Sequence, residues 1–355
     1  MNILCVTENL GSGGAERQLT RLAVALHDSG HSVAVVTWRD LNFHAGYLAE
    51  HHVEHIQFPP CSKPSRVWRL NKLIRHRHTD VVISFLPSPN ETAALATIGT
   101  GARLIVGERS FTINWGWRRR ITNLLYRRTD YIVANSNNEA ENIRRHCPAL
   151  ASRVRAIPNF VELDSFHPLT GRPSNPVPRL IGVGRVIPTK NIHRLIEALA
   201  VLHNEGLDFN LEWYGAQWDQ EYCERLTTLA AERGIASRVH LCGECDHIAA
   251  VYPLADIFVM PSLLEGYPNV LVEAMASELP VVASAVHEHP YIVDEGVGGF
   301  LFNPNDVDDL CRALREALAL TPEQRHTMGE HNRAMCLQRN SPEAFLNAYL
   351  SLINN

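Results

Sequence analysis

No window of this 355-residue chain reaches the ~18 uninterrupted apolar residues of a membrane-spanning helix, so no such span is expected. Basic residues are not in excess: 33 Lys and Arg against 38 Asp and Glu give a formal charge of -5, which argues against whole-molecule attraction to nucleic acid and confines any basic surface to a patch. The eight cysteines (Cys5, Cys61, Cys147, Cys223, Cys242, Cys245, Cys311, Cys336) are scattered, as expected of reduced thiols in the cytosol. Cys242 and Cys245 form a CxxC pair, but a second pair or His ligands at zinc-site spacing are lacking, and no metal is expected there. The start, "MNILCVTEN", reads straight into a strand, without the basic and apolar regions of a secretory leader. A GxGxxG turn, a Walker loop and a nucleophile elbow are also missing. What remains, at 45% hydrophobic and 20% charged residues, is the composition of a soluble globular chain with length for two cores.

Short apolar runs alternate with longer helix-period segments. "NILCVT", "AERQLTRLAVALHDSG" and "HSVAVVTW" make a βαβ unit, and "DVVISFL", "RLIVGE" and "YIVANS" continue it. "HPLTGRPSNPVP", 167–178, has four prolines and no apolar period, and reads as a linker. A second βα series follows: "RLIGVGRV", "FNLEWYG", "RVHLCGE", "DIFVMPS", "PVVASAV" and "GGFLFNP". The expectation is two α/β domains, each Rossmann-like and doubly wound, over 1–166 and 179–340, with a last helix at about 341–355 packing back on the first. In such folds ligands bind beyond the carboxyl ends of the strands, which makes a cleft between the domains the default site.

Three stretches near strand ends carry chemistry. "ENLGSGGAER" is a Gly-rich turn holding Gly13 and Gly14, able either to cradle an anion on free N–H groups or simply to turn tightly. In "GVGRVIPTKN", Arg185 follows a strand and Lys190 precedes a helix, a cation pair suited to a diphosphate. In "EGYPNVLVEAMASELPVV", Pro268 suits a helical first turn, leaving Glu265 in the loop and Glu273 about one turn inside an apolar helix, where an unpaired charge would be costly. Asp306 and Asp308 in "NPNDVDDL" have DxD form but open an apolar helical period, so they read as a helix start rather than metal ligands.

These motifs, with "IPNFVELDSF" and "PSLLEGYPNVLVEAMASELPVVAS", resemble the family 4 glycosyltransferases, retaining enzymes of GT-B architecture, over nearly the whole chain. The most specific element is the family's glutamate pair separated by seven residues, matched by Glu265 and Glu273. The resemblance implies a hexosyltransferase that moves sugar from a nucleotide-sugar donor, a UDP-linked hexose or N-acetylhexosamine, to a glycan or lipid-linked oligosaccharide in cell-surface polysaccharide synthesis. It implies that Glu273 holds the ribose, Glu265 contacts donor-sugar hydroxyls, and Arg185 and Lys190 neutralise the leaving diphosphate without a metal or other cofactor. Gly243 and Glu244 fall where the family places the nucleobase, and Gly266, Asn269, Val270, Gly13 and Gly14 complete the implied donor set. No enzymic nucleophile is implied; the leaving phosphate takes the acceptor's proton in a front-face substitution. A sugar-nucleotide epimerase or a non-enzymatic nucleotide-sugar binding protein of the same architecture is the alternative.

The chain departs from the family pattern where many members carry a histidine after the fourth strand. Here "ISFLPSPNE" leaves Ser84 and Asn90, which with Glu108, Arg109 and His287 are the candidates for the acceptor or sugar cleft. In "FTINWGWRRRITNLLYRRTDY", Trp115 and Trp117 interleave with Arg118, Arg119 and Arg120, while Ile121, Leu124 and Leu125 give an apolar face. This pattern suits either packing on the first sheet or contact with an anionic membrane from its cytoplasmic face.

Overall fold

The computed structural model describes residues 1–169 and 175–354, the Arg118 side chain excepted. Part of the expected linker therefore lies outside the described residues. The chain divides into two compact units, Met1–Phe160 with the C-terminal helix, and Val161–Pro342.

In the first unit, strands and helices alternate as β1 (Asn2–Val6), α1 (Gly14–Asp28), β2 (Ser32–Thr37), α2 (Ala45–Glu50), β3 (Glu54–Gln57), α3 (Lys63–His76), β4 (Val81–Phe85), α4 (Pro87–Ala96), β5 (Arg103–Glu108), α5 (Trp117–Tyr126), β6 (Tyr131–Ala134), α6 (Asn137–His146) and β7 (Val154–Ala156). The sheet is parallel throughout, in the order β3-β2-β1-β4-β5-β6-β7. Its central strands are buried on both faces, which is why they read as continuous apolar runs. The second unit runs β8 (Arg179–Val183), α7 (Ile192–Asn204), β9 (Asn210–Tyr214), α8 (Gln220–Glu232), β10 (Val239–Gly243), α9 (Ile248–Val251), β11 (Ile257–Met260), α10 (Asn269–Ala276), β12 (Val281–Ser284), α11 (His289–Ile292), β13 (Gly299–Phe302), α12 (Val307–Leu318) and α13 (Pro322–Arg339). Its parallel order is β10-β9-β8-β11-β12-β13.

The last helix, α14 (Pro342–Asn354), returns to the first unit, where Phe345, Tyr349, Leu352 and Ile353 share a core with Ile3, Leu19 and Val35. Arg103 donates to the carbonyls of Leu352 and Ile353 at 2.8 and 2.7 Å, satisfying acceptors left open at that helix end. The first boundary lies at Phe160 rather than Phe166, because Val161 and Phe166 belong to the second unit's core, Phe166 against Tyr252 at 5.8 Å. Asn175 and the Arg179 N–H both bond Asp256, so the end of the expected linker is already pinned to the second unit. Asp306 caps α12, accepting from the N–H groups of Asp308 and Asp309. In each sheet the chain reverses direction of growth once, between β1 and β4 and between β8 and β11, the switch points at which ligands bind in folds of this kind.

Candidate functional site

In the second unit the switch point is flanked by the loops after β8 and β11. They are tied together by the Leu263 N–H donating to the Thr189 carbonyl at 2.8 Å. Lys190 Nζ reaches Glu265 Oε1 at 2.5 Å, both side chains being more than four-fifths covered. Gly184 and Gly215 let the preceding turns approach: Gly215 has φ +150°, and a Cβ there would lie 2.1 Å from the Gly184 oxygen. Gly215 also donates to the Gly243 carbonyl at 2.7 Å, which joins the end of β10 to the same group of turns.

The loop after β12 supplies a second layer. The Glu265 N–H donates to His287 Nδ1 at 3.4 Å. His289 is fully buried and uses Nδ1 toward the Ser284 carbonyl at 2.6 Å, leaving Nε2 a buried acceptor that no described group partners. Burial pushes the His289 pKa down to about 4 against the pull of the Glu265 carboxylate, and lowers that of His287 in the same way.

Glu273 is buried on α10 and accepts from the Tyr252 hydroxyl at 3.4 Å. Gly266, Asn269 and Val270 are half-buried at the entry to that helix, where Pro268 occupies the N-cap rather than the first helical position. Arg185 is exposed, its guanidinium 5.0 Å from the Trp218 ring, while Gly243 and the exposed Glu244 close β10 at the sheet edge. The structure thus joins Lys190, Glu265 and His287 directly.

In the first unit Gly13 caps α1 and Gly14 begins it, with the Glu16 carboxylate folded over Gly13. Four of the candidates for the acceptor cleft, Ser84, Asn90, Glu108 and Arg109, have partners within the first unit. Ser84 donates to Asn90 Oδ1 (2.6 Å), Asn90 donates to the Gly107 carbonyl and the Tyr126 hydroxyl (3.0 Å each), and Tyr126 donates to Glu108 Oε1 (2.6 Å). Arg119 completes the chain with a 2.9 Å bond to the same oxygen. Ser84, Asn90 and Glu108 are buried, and their polar atoms bond each other rather than facing a ligand surface. Arg109 lies 3.5 Å over the Phe85 ring and donates to Asn159 and Tyr349, so it too is engaged internally.

Two members of the expected membrane contact are likewise internal. Arg119 is mostly covered against Glu108, and Trp115 is half-buried, stacked on His146 at 4.4 Å. Trp117, Ile121 and Leu124 are the exposed apolar face of α5, with Ile113 just before it and Arg120, Arg127 and Arg128 exposed alongside. The Arg118 side chain lies outside the described residues.

Sequence profiles tile both units: Glycosyltransferase Family 4 matches residues 12–165 and Glycosyl transferases group 1 matches 172–335. The chain belongs to the group 1 type, family 4 glycosyltransferases. This glycosyltransferase is 27% identical to the lipopolysaccharide core biosynthesis glycosyltransferase LpsE of Rhizobium meliloti over 96% of each chain. It is 26% identical, over 90% of its own length and 89% of the relative's, to a Campylobacter jejuni enzyme. That enzyme is the GalNAc-alpha-(1->4)-GalNAc-alpha-(1->3)-diNAcBac-PP-undecaprenol alpha-1,4-N-acetyl-D-galactosaminyltransferase. Its fold matches that of Anabaena HepE in complex with UDP, with a TM-score of 0.86 at 20% identity over the full length of both chains, the GT-B architecture. Sequence reasoning passed over His289, Trp218 and Tyr252 in this glycosyltransferase, and only the exposed aromatic in "AQWDQ" left a visible signal.

Proposed function

We propose that this glycosyltransferase moves a hexose or N-acetylhexosamine from a UDP-linked donor to a glycan or lipid-linked oligosaccharide, with retention of anomeric configuration, in cell-surface polysaccharide synthesis. The observation that carries the reading is the Lys190–Glu265 pair at the switch point of the second sheet, with Glu273 in the helix that follows. Lys190 and Arg185 neutralise the diphosphate as it leaves, without a metal or other cofactor in that role; Glu265 takes donor-sugar hydroxyls, Glu273 the ribose. The bond from the anomeric carbon to the diphosphate breaks as the acceptor oxygen bonds to that carbon, and the acceptor's proton passes to the departing phosphate oxygen. LpsE is named for lipopolysaccharide core synthesis, the Campylobacter relative for an undecaprenol-linked acceptor, and HepE was solved with UDP, all consistent with this substrate class.

The first unit receives the acceptor, and α5 brings it to the cytoplasmic face of an anionic membrane. Trp117, Ile121 and Leu124 follow one another at helical spacing on its exposed side. The unit also holds 20 of the chain's 33 Lys and Arg but 13 of its 38 Asp and Glu, so it is cationic within an anionic protein. The test is turnover of UDP-glucose and UDP-N-acetylglucosamine with a lipid-linked oligosaccharide, reading UDP release, product mass and anomeric configuration. A glycoside of the donor's configuration supports the reading. Conversion of the sugar nucleotide without a glycoside points to an epimerase, and binding without turnover to a binding protein.

A further inference from the structure

The loop between β9 and α8 carries an exposed tryptophan on a fixed base. The Gly215 N–H donates to the Gly243 carbonyl at 2.7 Å, the Val186 N–H to the Ala216 carbonyl at 2.8 Å, and Gln217 Nε2 to the Leu241 carbonyl at 3.3 Å. Asp219 then caps α8, accepting from the Tyr222 N–H at 2.9 Å. Trp218, 70% exposed, stands between these anchored residues. A lone exposed apolar side chain is ordinary, but this one has the Arg185 guanidinium 5.0 Å from its ring centre.

The two cations that follow β8 are held in opposite ways. Lys190 is neutralised by Glu265, and both are largely covered. The Arg185 side chain has no carboxylate or hydrogen-bond partner among the described residues, and the Trp218 ring is what it rests on. A carboxylate would orient a guanidinium by spending its N–H donors and cancelling its charge. The face of an indole orients it through the ring quadrupole, and leaves both the charge and the planar fork of donors for an incoming anion. Tryptophan has few torsions to freeze, so it orders the longer arginine before a ligand arrives. The backbone beneath is fixed as well: Trp213 Nε1 donates to the carbonyl of Gly184, the residue before Arg185, at 2.8 Å.

We propose that Trp218 is a positioning residue that holds the Arg185 guanidinium, charged and with its donors unspent, toward the diphosphate of the sugar nucleotide. The inference rests on the reading of Arg185 as a diphosphate contact. Calorimetric affinities for UDP are compared in the wild type, Trp218→Ala, Trp218→Phe, Arg185→Ala and the double variant Trp218→Ala/Arg185→Ala. Trp218→Ala should bind UDP about three- to fivefold more weakly, the worth of an exposed cation–π contact, and melt within about a degree of the wild type. Trp218→Phe, which keeps an aromatic face, should recover part of that affinity. Once Arg185 is gone, removing Trp218 should change nothing further, because the ring acts through the guanidinium. An equal loss in both backgrounds means that the ring touches the nucleotide itself and overturns the positioning role. No loss in either background overturns it too, as does weaker binding that follows a fall in melting temperature. If Arg185→Ala binds UDP as the wild type does, or the wild type does not bind UDP at all, the donor reading fails and this inference with it.

Discussion

Lys190 Nζ and Glu265 Oε1 stand 2.5 Å apart, so the cation and the carboxylate of the proposed donor site neutralise each other. On the proposed reading a donor exchanges this pair for its own contacts, and each substitution acts on both partners. Lys190→Ala should remain folded and lose about 100-fold in rate, as for removal of one electrostatic contact to a leaving group. Glu273→Gln should lose activity by a separate route, through ribose binding. The double variant Lys190→Ala/Glu265→Gln should be less than additive in thermal stability, because either single change already dissolves the pair. Full activity in both Lys190→Ala and Glu273→Gln, by initial rates, removes this switch point as the donor site.

His289 predicts the acid limb of stability. Its folded pKa, about 4, lies below the unfolded value of 6.5, so the unfolded chain takes up the proton first. Its contribution is complete above pH 6.5 and drains away as pH falls toward 4, for a loss of about 3 kcal/mol. The groups acting on the ring are Glu265, Lys190 and His287, the last also shifted downward and adding to the same slope. Melting temperatures of the wild type should fall between pH 7 and 4.5 more steeply than those of His289→Asn, which retains a donor for the Ser284 carbonyl. Parallel curves refute the assignment.

Gly215→Ala should cost about 3 kcal/mol, since a Cβ would press on backbone rather than on a yielding side chain. The displaced turn includes Gly184, next to Arg185, so chemical denaturation and donor affinity should suffer together. A stable variant with normal affinity contradicts this geometry.

The two faces of α5 allow the proposed membrane contact to be tested apart from folding. Ile121→Ser with Leu124→Ser should leave the melting temperature within a degree or so and reduce co-sedimentation with anionic vesicles at low salt. Arg119→Ala should do the reverse, leaving Glu108 buried without its cation at a cost of about 3 kcal/mol while vesicle binding persists. Unchanged vesicle binding in the double serine variant would leave a soluble acceptor as the better account.

What could be read in advance followed from which contacts are local. The buried strands show themselves as apolar runs because both faces are covered, but β3 has the sequence EHIQ, an edge strand with one apolar residue, and β7 is three residues long, so neither stood out. Asn90 and Tyr126 are 36 positions apart and become partners only when α4 and α5 settle on β5, so Ser84, Asn90 and Glu108 looked like available polar groups. The inward face of α5 was hidden for the same reason, being chosen by a glutamate on a strand. Glu265 and Glu273 were accessible because their spacing around Pro268 is a local signal.

The return of α14 to the first core sets an order of assembly. Ile3, Leu19 and Val35 obtain their covering side chains from Phe345, Tyr349, Leu352 and Ile353, which the ribosome adds only after all of Val161–Pro342. The second unit is continuous in sequence and can complete its core during synthesis; the first must wait with an apolar surface open until Phe345, Tyr349, Leu352 and Ile353 have been added. A nascent first unit is therefore expected to expose this surface longest, and truncation shortly before Phe345 to destabilise the domain that was made first.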